Sequence, residues 1–119
     1  MVTIDLFRKE DRHEPFAKGQ VVFKEGEKGR LMYVVLEGSV ALKVKDKMVE
    51  TVGPGGVLGE MAMIDDAPRS ATAIAETDSK LAVVDAKRFN FLVQQTPNFA
   101  LQIMRVIADR LRRMDNKLF

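Results

Sequence analysis

The residues with the clearest capacity for chemistry lie in one stretch, Val57-Leu58-Gly59-Glu60-Met61-Ala62-Met63-Ile64-Asp65-Asp66-Ala67-Pro68-Arg69-Ser70-Ala71-Thr72-Ala73. Gly59 permits a sharp turn and a close approach of backbone to ligand. Glu60-Met61-Ala62-Met63 can then make one helical turn whose first N–H groups have no partner within the helix and point outward. Such donors, with the partial positive charge of a helix start, attract phosphate and place an anion near the amides of residues 60–62. Further along, Arg69 follows Pro68, which stiffens its approach, and a guanidinium can bind two phosphate oxygens through paired, charge-assisted hydrogen bonds. Ser70 adds a hydroxyl beside it. Glu60 repels phosphate, yet a carboxylate beside an anion site is placed to accept a hydrogen bond from a sugar hydroxyl. Phosphate donors next to a sugar acceptor point to a nucleotide.

The remaining polar residues exclude more than they suggest. Asp65-Asp66, with no other converging ligand, reads as a solvated turn rather than a metal site. The chain has no Cys and one His, His13, which removes disulfides, thiolate metal sites, thiol nucleophiles and most His-based metal and triad chemistry. An enzyme of the cupin type would need two or three His plus a carboxylate for its metal. No catalytic residue, no metal and no cofactor is therefore expected. Nineteen Lys and Arg against seventeen Asp and Glu leave a net charge of +2, too small an excess to build a surface for nucleic acid or anionic membrane. The longest apolar run, 31–36, is far short of the roughly 20 residues that cross a bilayer, and the start MVTIDLFRKEDRHE has no apolar signal core. A soluble, cytoplasmic chain is expected.

With 119 residues, 46% of them hydrophobic, the chain is long enough for one compact core and too short for two, so 1–119 is taken as a single domain. All eight glycines fall between Gly19 and Gly59. In that region short apolar or alternating runs, 21–23, 31–36, then Val40, Leu42 and Val44, then 48–52, read as strands. Glu37-Gly38, Lys45-Asp46-Lys47 and Gly53-Pro54-Gly55-Gly56 supply turn chemistry for antiparallel hairpins. Runs 71–75 and 81–84 add two more strands. Residues 8–14 read as an exposed charged turn or short helix. Asp85 caps a helix over 86–95, and Thr96-Pro97 starts a second over 97–117. In the second, Ala100, Met104, Ile107, Leu111, Met114 and Leu118 form a heptad seam that packs on the chain's own barrel or pairs with its twin in a homodimer. Arg105, Arg110, Arg112, Arg113 and Lys117, with Asp109 and Asp115, read as a solvated face.

The run Gly59-Glu60-Met61-Ala62 followed by Pro68-Arg69-Ser70-Ala71 resembles the phosphate-binding cassette of cyclic nucleotide-binding domains, the family of cAMP receptor protein-like regulators. The likeness extends upstream through Gly19, Phe23, Gly26, Tyr33, Val35, Gly38 and Val40 and downstream through 85–119, covering roughly residues 14–118. It implies a mainly β fold with α: an antiparallel β-roll or jelly-roll (double-stranded β-helix) barrel over about 14–84, with the cassette at 57–73, closed by the C-terminal helices. Glu60 would hold the ribose 2′-hydroxyl, Arg69 the exocyclic phosphate oxygen, Ser70 another phosphate oxygen, and the amides of Met61 and Ala62, after the turn at Gly59, the rest. The ligand would be cAMP or, second, cGMP, since Ser70 stands where cGMP-selective relatives often carry Thr. The C-terminal helix would be mobile lid and dimer contact. Val57 stands where the family often has a large aromatic and is followed by Leu58, which implies a roomier wall, and Met114-Asp115-Asn116 stands where hydroxyl residues face the base. The family's transcription regulators continue into a helix-turn-helix beyond the point matching Phe119, so no direct contact with nucleic acid is expected and the effector would be another protein or domain. Met1 with its short leader favours a free-standing regulator over part of a longer channel, kinase or transcription factor. The alternative is a protein-interaction module with the same fold, a silent pocket and a lid helix that docks through its Leu and Met seam.

Overall fold

The unbroken apolar run at 31–36 suits a strand covered on both faces. In the computed structural model, which describes residues 3–118 and their side chains through Arg113 apart from Asp5, this run is strand β3 (Leu31–Glu37). It lies inside a sheet with β1 (Glu14–Phe16), β8 (Ser79–Asp85) and β6 (Val57–Leu58), in the order β1-β8-β3-β6. The second sheet holds β2 (Val21–Phe23), β7 (Thr72–Ala75), β4 (Val40–Val44) and β5 (Lys47–Val52), in the order β2-β7-β4-β5. Every pairing is antiparallel.

Period-two alternation along β3 feeds two cores. Tyr33 and Val35 face the second sheet and pack with Phe23, Val40, Leu42, Val52 and Ala73. Met32 and Val34 face the opposite way, toward the helices, with Ala82 and Val84 of β8. The register Tyr33 to Val83, Val34 to Ala82 and Val35 to Leu81 keeps the two strands in step. The β-roll is this pair of facing sheets, and among the described strands no ladder runs from one sheet into the other. The β4–β5 hairpin turns on Lys45 and Asp46, both at positive φ, 51° and 65°, the geometry that a two-residue hairpin loop favours.

Helix α1 (Ala86–Gln95) begins as its sequence predicts, with Asp85 Oδ1 accepting from the Arg88 N–H at 2.8 Å. Thr96 precedes a proline and is extended, at φ −126° and ψ 92°, as the proline ring requires of its neighbour. It separates α1 from α2 (Pro97–Leu118), and the bond seen at the start of α2 runs from the Phe99 N–H to the Thr96 carbonyl at 2.9 Å. Phe89 of α1 and Phe99, Ile103 and Val106 of α2 fill the helix-facing core. Phe99 meets Phe89 and Phe7 edge-on, with ring centroids 5.4 and 6.4 Å apart. None of the described helices is long and apolar enough to cross a membrane.

Two features differ from or extend the sequence reading. The charged stretch 8–14 is preceded by an anchor: Ile4, just before the short turn Asp5–Phe7, and Phe7, its last residue, are fully buried, and the Ile4 N–H bonds to the Gly55 carbonyl at 2.7 Å. The seam on α2 is also rotated relative to the core. The stripe turned inward is Phe99, Ile103, Val106 and Arg110, whereas Met104 and Leu111 of the expected seam are 60% and 59% exposed and only Ile107 packs against the core. Arg110 is therefore an inward-facing residue and not part of a solvated face. The seam residues Met114 and Leu118 and the stretch Met114-Asp115-Asn116 lie outside the described side chains.

Candidate ligand-binding site

Gly59 ends β6 at φ +71° and opens a short 3-10 helix, Glu60–Met63. A side chain there would be strained by that backbone, and its Cβ would lie 2.4 Å from Arg69 Nη1. Glycine is needed for both reasons. The Ala62 N–H returns to the Gly59 carbonyl at 3.2 Å, closing the turn. The N–H groups of Glu60 and Met61 have no such partner among the described residues and remain available to a ligand.

Arg69 is fixed by its backbone and stacked by its side chain. Its N–H donates to the Glu27 carbonyl and its own carbonyl accepts from Gly26 N–H, both at 2.8 Å, which stitches the cassette to the loop between β2 and β3. The guanidinium lies over the Phe23 ring, 4.2 Å from the centroid, a favourable cation–π arrangement. Nη2 donates to the Leu31 carbonyl at 2.8 Å and Nη1 to the Gly59 carbonyl at 3.4 Å. On another side a Cβ on Gly29 would meet Nε at 2.2 Å, so Gly29 makes the space that the guanidinium fills. Nε itself is buried without any hydrogen-bond partner. Burial pulls the Arg69 pKa below the ordinary arginine value, opposed by Tyr33, Glu27 and Glu60. A buried cation with an orphaned donor is costly unless an anion completes it.

Glu60 is 4% exposed. Its Oε1 accepts from Arg110 Nη1 at 2.6 Å, while Oε2 has no hydrogen-bond partner among the described residues. Arg110 also donates from Nε to Glu50 Oε1 at 3.0 Å, from Nη2 to Glu50 Oε2 at 3.3 Å, and from Nη2 to the Val57 carbonyl. Burial works against the Arg110 charge, but Glu60 and Glu50 outweigh it and hold the pKa above the ordinary arginine value.

These groups converge. Gly59, Glu60, Met61, Ala62, Arg69 and Ser70 all line one cavity of about 80 Å³, with Arg110 in its wall and Ser70 exposed at its rim. That volume is far below the roughly 300–1,000 Å³ typical of small-molecule pockets. A wider depression of about 790 Å³ opens between Arg12, His13, Lys87 and Phe91. Its Arg88 is paired with Glu10 and its Asp85 caps α1, so size does not mark the chemistry. Asp65 accepts from the Ala67 N–H at 3.0 Å, a local turn, and no group of three metal-ligating side chains occurs among the described residues.

Sequence reasoning missed Arg110, Glu50 and Gly29. Arg110 had a signal: it continues the inward stripe 99, 103, 106 at helical spacing. Glu50 and Gly29 had none, because each acts only through a partner distant in sequence.

Comparisons with known proteins bear on the fold and the family. The chain is 30% identical over 108 residues to the CRP-like cAMP-activated global transcriptional regulator of Mycobacterium tuberculosis, an alignment covering 87% of this chain and 48% of that protein. It is 38% identical over 73 residues to the cAMP-dependent protein kinase regulatory subunit of Eremothecium gossypii, covering 61% of this chain and 16% of that one. It superposes on the crystal structure of the Thermus thermophilus catabolite activator protein with a TM-score of 0.81 at 28% identity, over 90% of this chain and 53% of the other. The chain thus spans about half the length of these bacterial relatives. The relatives are regulators, and the family model described as the cyclic nucleotide-binding domain matches residues 13–96. The chain belongs to the cyclic nucleotide-binding domain family.

Proposed function

We propose that the protein binds a cyclic nucleotide, cAMP in preference to cGMP, in the cavity at Gly59–Ser70, catalyses nothing, and signals occupancy through α2. The observation that carries this reading is the buried Arg69 guanidinium, which no carboxylate bonds among the described residues and which lines the same cavity as Glu60 and Met61, whose N–H groups and one Glu60 oxygen are unpaired among those residues. The phosphate would lie against Arg69, these two amides, the Ala62 turn and the Ser70 hydroxyl, with the ribose hydroxyl on Glu60 Oε2. Ser70 favours cAMP, and the names of the Mycobacterium and Eremothecium relatives include cAMP.

The link to α2 is Arg110. A ligand shifts a conformational equilibrium only by binding one arrangement better than another, and Arg110 joins α2 directly to the carboxylate that the sugar would use. The small cavity means that a whole nucleotide enters only if the cassette or α2 moves. The outward apolar residues Leu101, Met104 and Leu111 suit a second copy of the chain, and the effector would be another protein or domain.

Calorimetric titration with cAMP and cGMP tests the reading: a one-to-one event, tighter for cAMP, with shifted amide signals across residues 59–70. Absence of heat and of shifts at millimolar nucleotide would sink it in favour of an interaction module with a silent pocket.

A further inference from the structure

Arg110 has more carboxylate around it than one guanidinium needs. Glu50, on β5, takes the Nε and Nη2 edge with both of its oxygens, at 3.0 and 3.3 Å. The Val57 carbonyl takes a further Nη2 donor. Only Nη1 remains for Glu60, and it bonds a single oxygen at 2.6 Å. Glu50 and Glu60 side chains are 10% and 5% exposed, so water supplies little competition. An arginine fork prefers to bind a carboxylate with two parallel bonds. Bound in that way to Glu60, Arg110 would engage both oxygens, and a ligand hydroxyl would have to share whichever oxygen it used.

We propose that Glu50 is a positioning residue: by holding the guanidinium fork it restricts Arg110 to one bond with Glu60 and keeps Glu60 Oε2 available for the ribose hydroxyl. Glu50 does not line the cavity; it acts on sugar selectivity through Arg110 and Glu60. Arg113, 4.0 Å from Glu50 and 3.1 Å from Asp109, adds a second cation from α2 that offsets the charge of the two glutamates. This inference rests on the cyclic-nucleotide reading above and goes further by assigning a determinant for the ribose 2′-position.

The test compares affinities for cAMP and 2′-deoxy-cAMP in the wild type, Glu50→Gln and Glu50→Asp. Gln keeps the shape but sets an NH2 group against one guanidinium donor, so the fork is released toward Glu60. The wild type should prefer cAMP by roughly tenfold or more, the scale of one charged hydrogen bond. In Glu50→Gln the preference should fall severalfold, and in Glu50→Asp, which keeps the charge with a shorter reach, it should be intermediate. A folded Glu50→Gln that retains the wild-type preference overturns the proposal. If Glu50→Gln fails to melt cooperatively, an undiminished preference in Glu50→Asp overturns it. A wild type that binds both nucleotides equally removes the sugar contact and this inference but leaves phosphate binding standing. A wild type that binds neither removes the functional reading and this inference with it.

Discussion

Arg69 is a cation packed among neutral groups: an aromatic face, two carbonyls and the bare Cα of Gly29. Its nearest negative side chains act only at a distance, since no carboxylate bonds it among the described residues. A nucleotide phosphate would supply the missing anion. Arg69→Ala should therefore weaken cyclic-nucleotide binding by about 1.5–3 kcal/mol, the range for hydrogen bonds to charged groups. Calorimetry on the variant, with its melting curve as the folding control, checks this. A folded Arg69→Ala with wild-type affinity would mean that the phosphate lies elsewhere. Glu60 is the complementary case, a buried anion held on one side by Arg110 and open on the other.

The helices and the N-terminal segment form one unit on the outer face of the β1-β8-β3-β6 sheet. Glu10, upstream of β1, pairs with Arg88 of α1, and Arg88 lies over the Phe7 ring at 5.1 Å from its centroid. The Arg88 hydrogen bond holds the Glu10 carboxyl below the usual glutamate range, with burial acting in the opposite direction. A carboxyl with a lowered folded-state pKa stabilises the fold above its ordinary value of about 4.3, and that contribution is lost as pH falls through the lowered value. Glu10→Gln should lower the melting temperature at pH 7, and the gap from wild type should close as the pH drops below about 4. Thermal melts of both proteins from neutral to acid pH check the sign. A gap that persists in acid would assign the effect to packing of the N-terminal segment rather than to the ion pair.

For the molecule as a unit, α2 presents two stripes. One stripe, Phe99, Ile103, Val106 and Arg110, joins it to the sheet and the cassette. Another leaves Leu101, Met104 and Leu111 at 42%, 60% and 59% exposure, more apolar surface than a solvated helix needs. If that stripe pairs two chains, light scattering should give twice 13.4 kDa for the wild type. Met104→Glu combined with Leu111→Glu should return it to one chain. A wild type that stays at 13.4 kDa at high concentration, with and without nucleotide, overturns the dimer.

Local chemistry carried the sequence a long way. Asp85 before an apolar-periodic run located α1 at Ala86–Gln95, because a capping carboxylate needs only the next turn of chain to act. Gly59 through Ser70 could be read as a phosphate site for a similar reason: these residues come from one continuous segment, and the fold brings all six that were named onto a single cavity. The strands β1 and β6, of three and two residues, were not anticipated, since Glu14-Pro15-Phe16 begins with a charge and a proline and Val57-Leu58 is too short to stand out, whereas the equally short Val21–Phe23 is wholly apolar. The orientation of α2 could not be fixed either. A helix with apolar residues at 99, 100, 103, 104, 106, 107 and 111 offers two overlapping stripes, and only packing against Met32, Val34, Ala82 and Val84 selects one of them. That choice of face turns Arg110 inward onto Glu60, fifty residues earlier, and Glu50, sixty residues earlier. Buried ion pairs between such distant positions arise from the assembled layers, so short-range spacing pointed to the candidate site at Gly59–Ser70, while the contact between Glu60 and α2 became visible only in the folded chain.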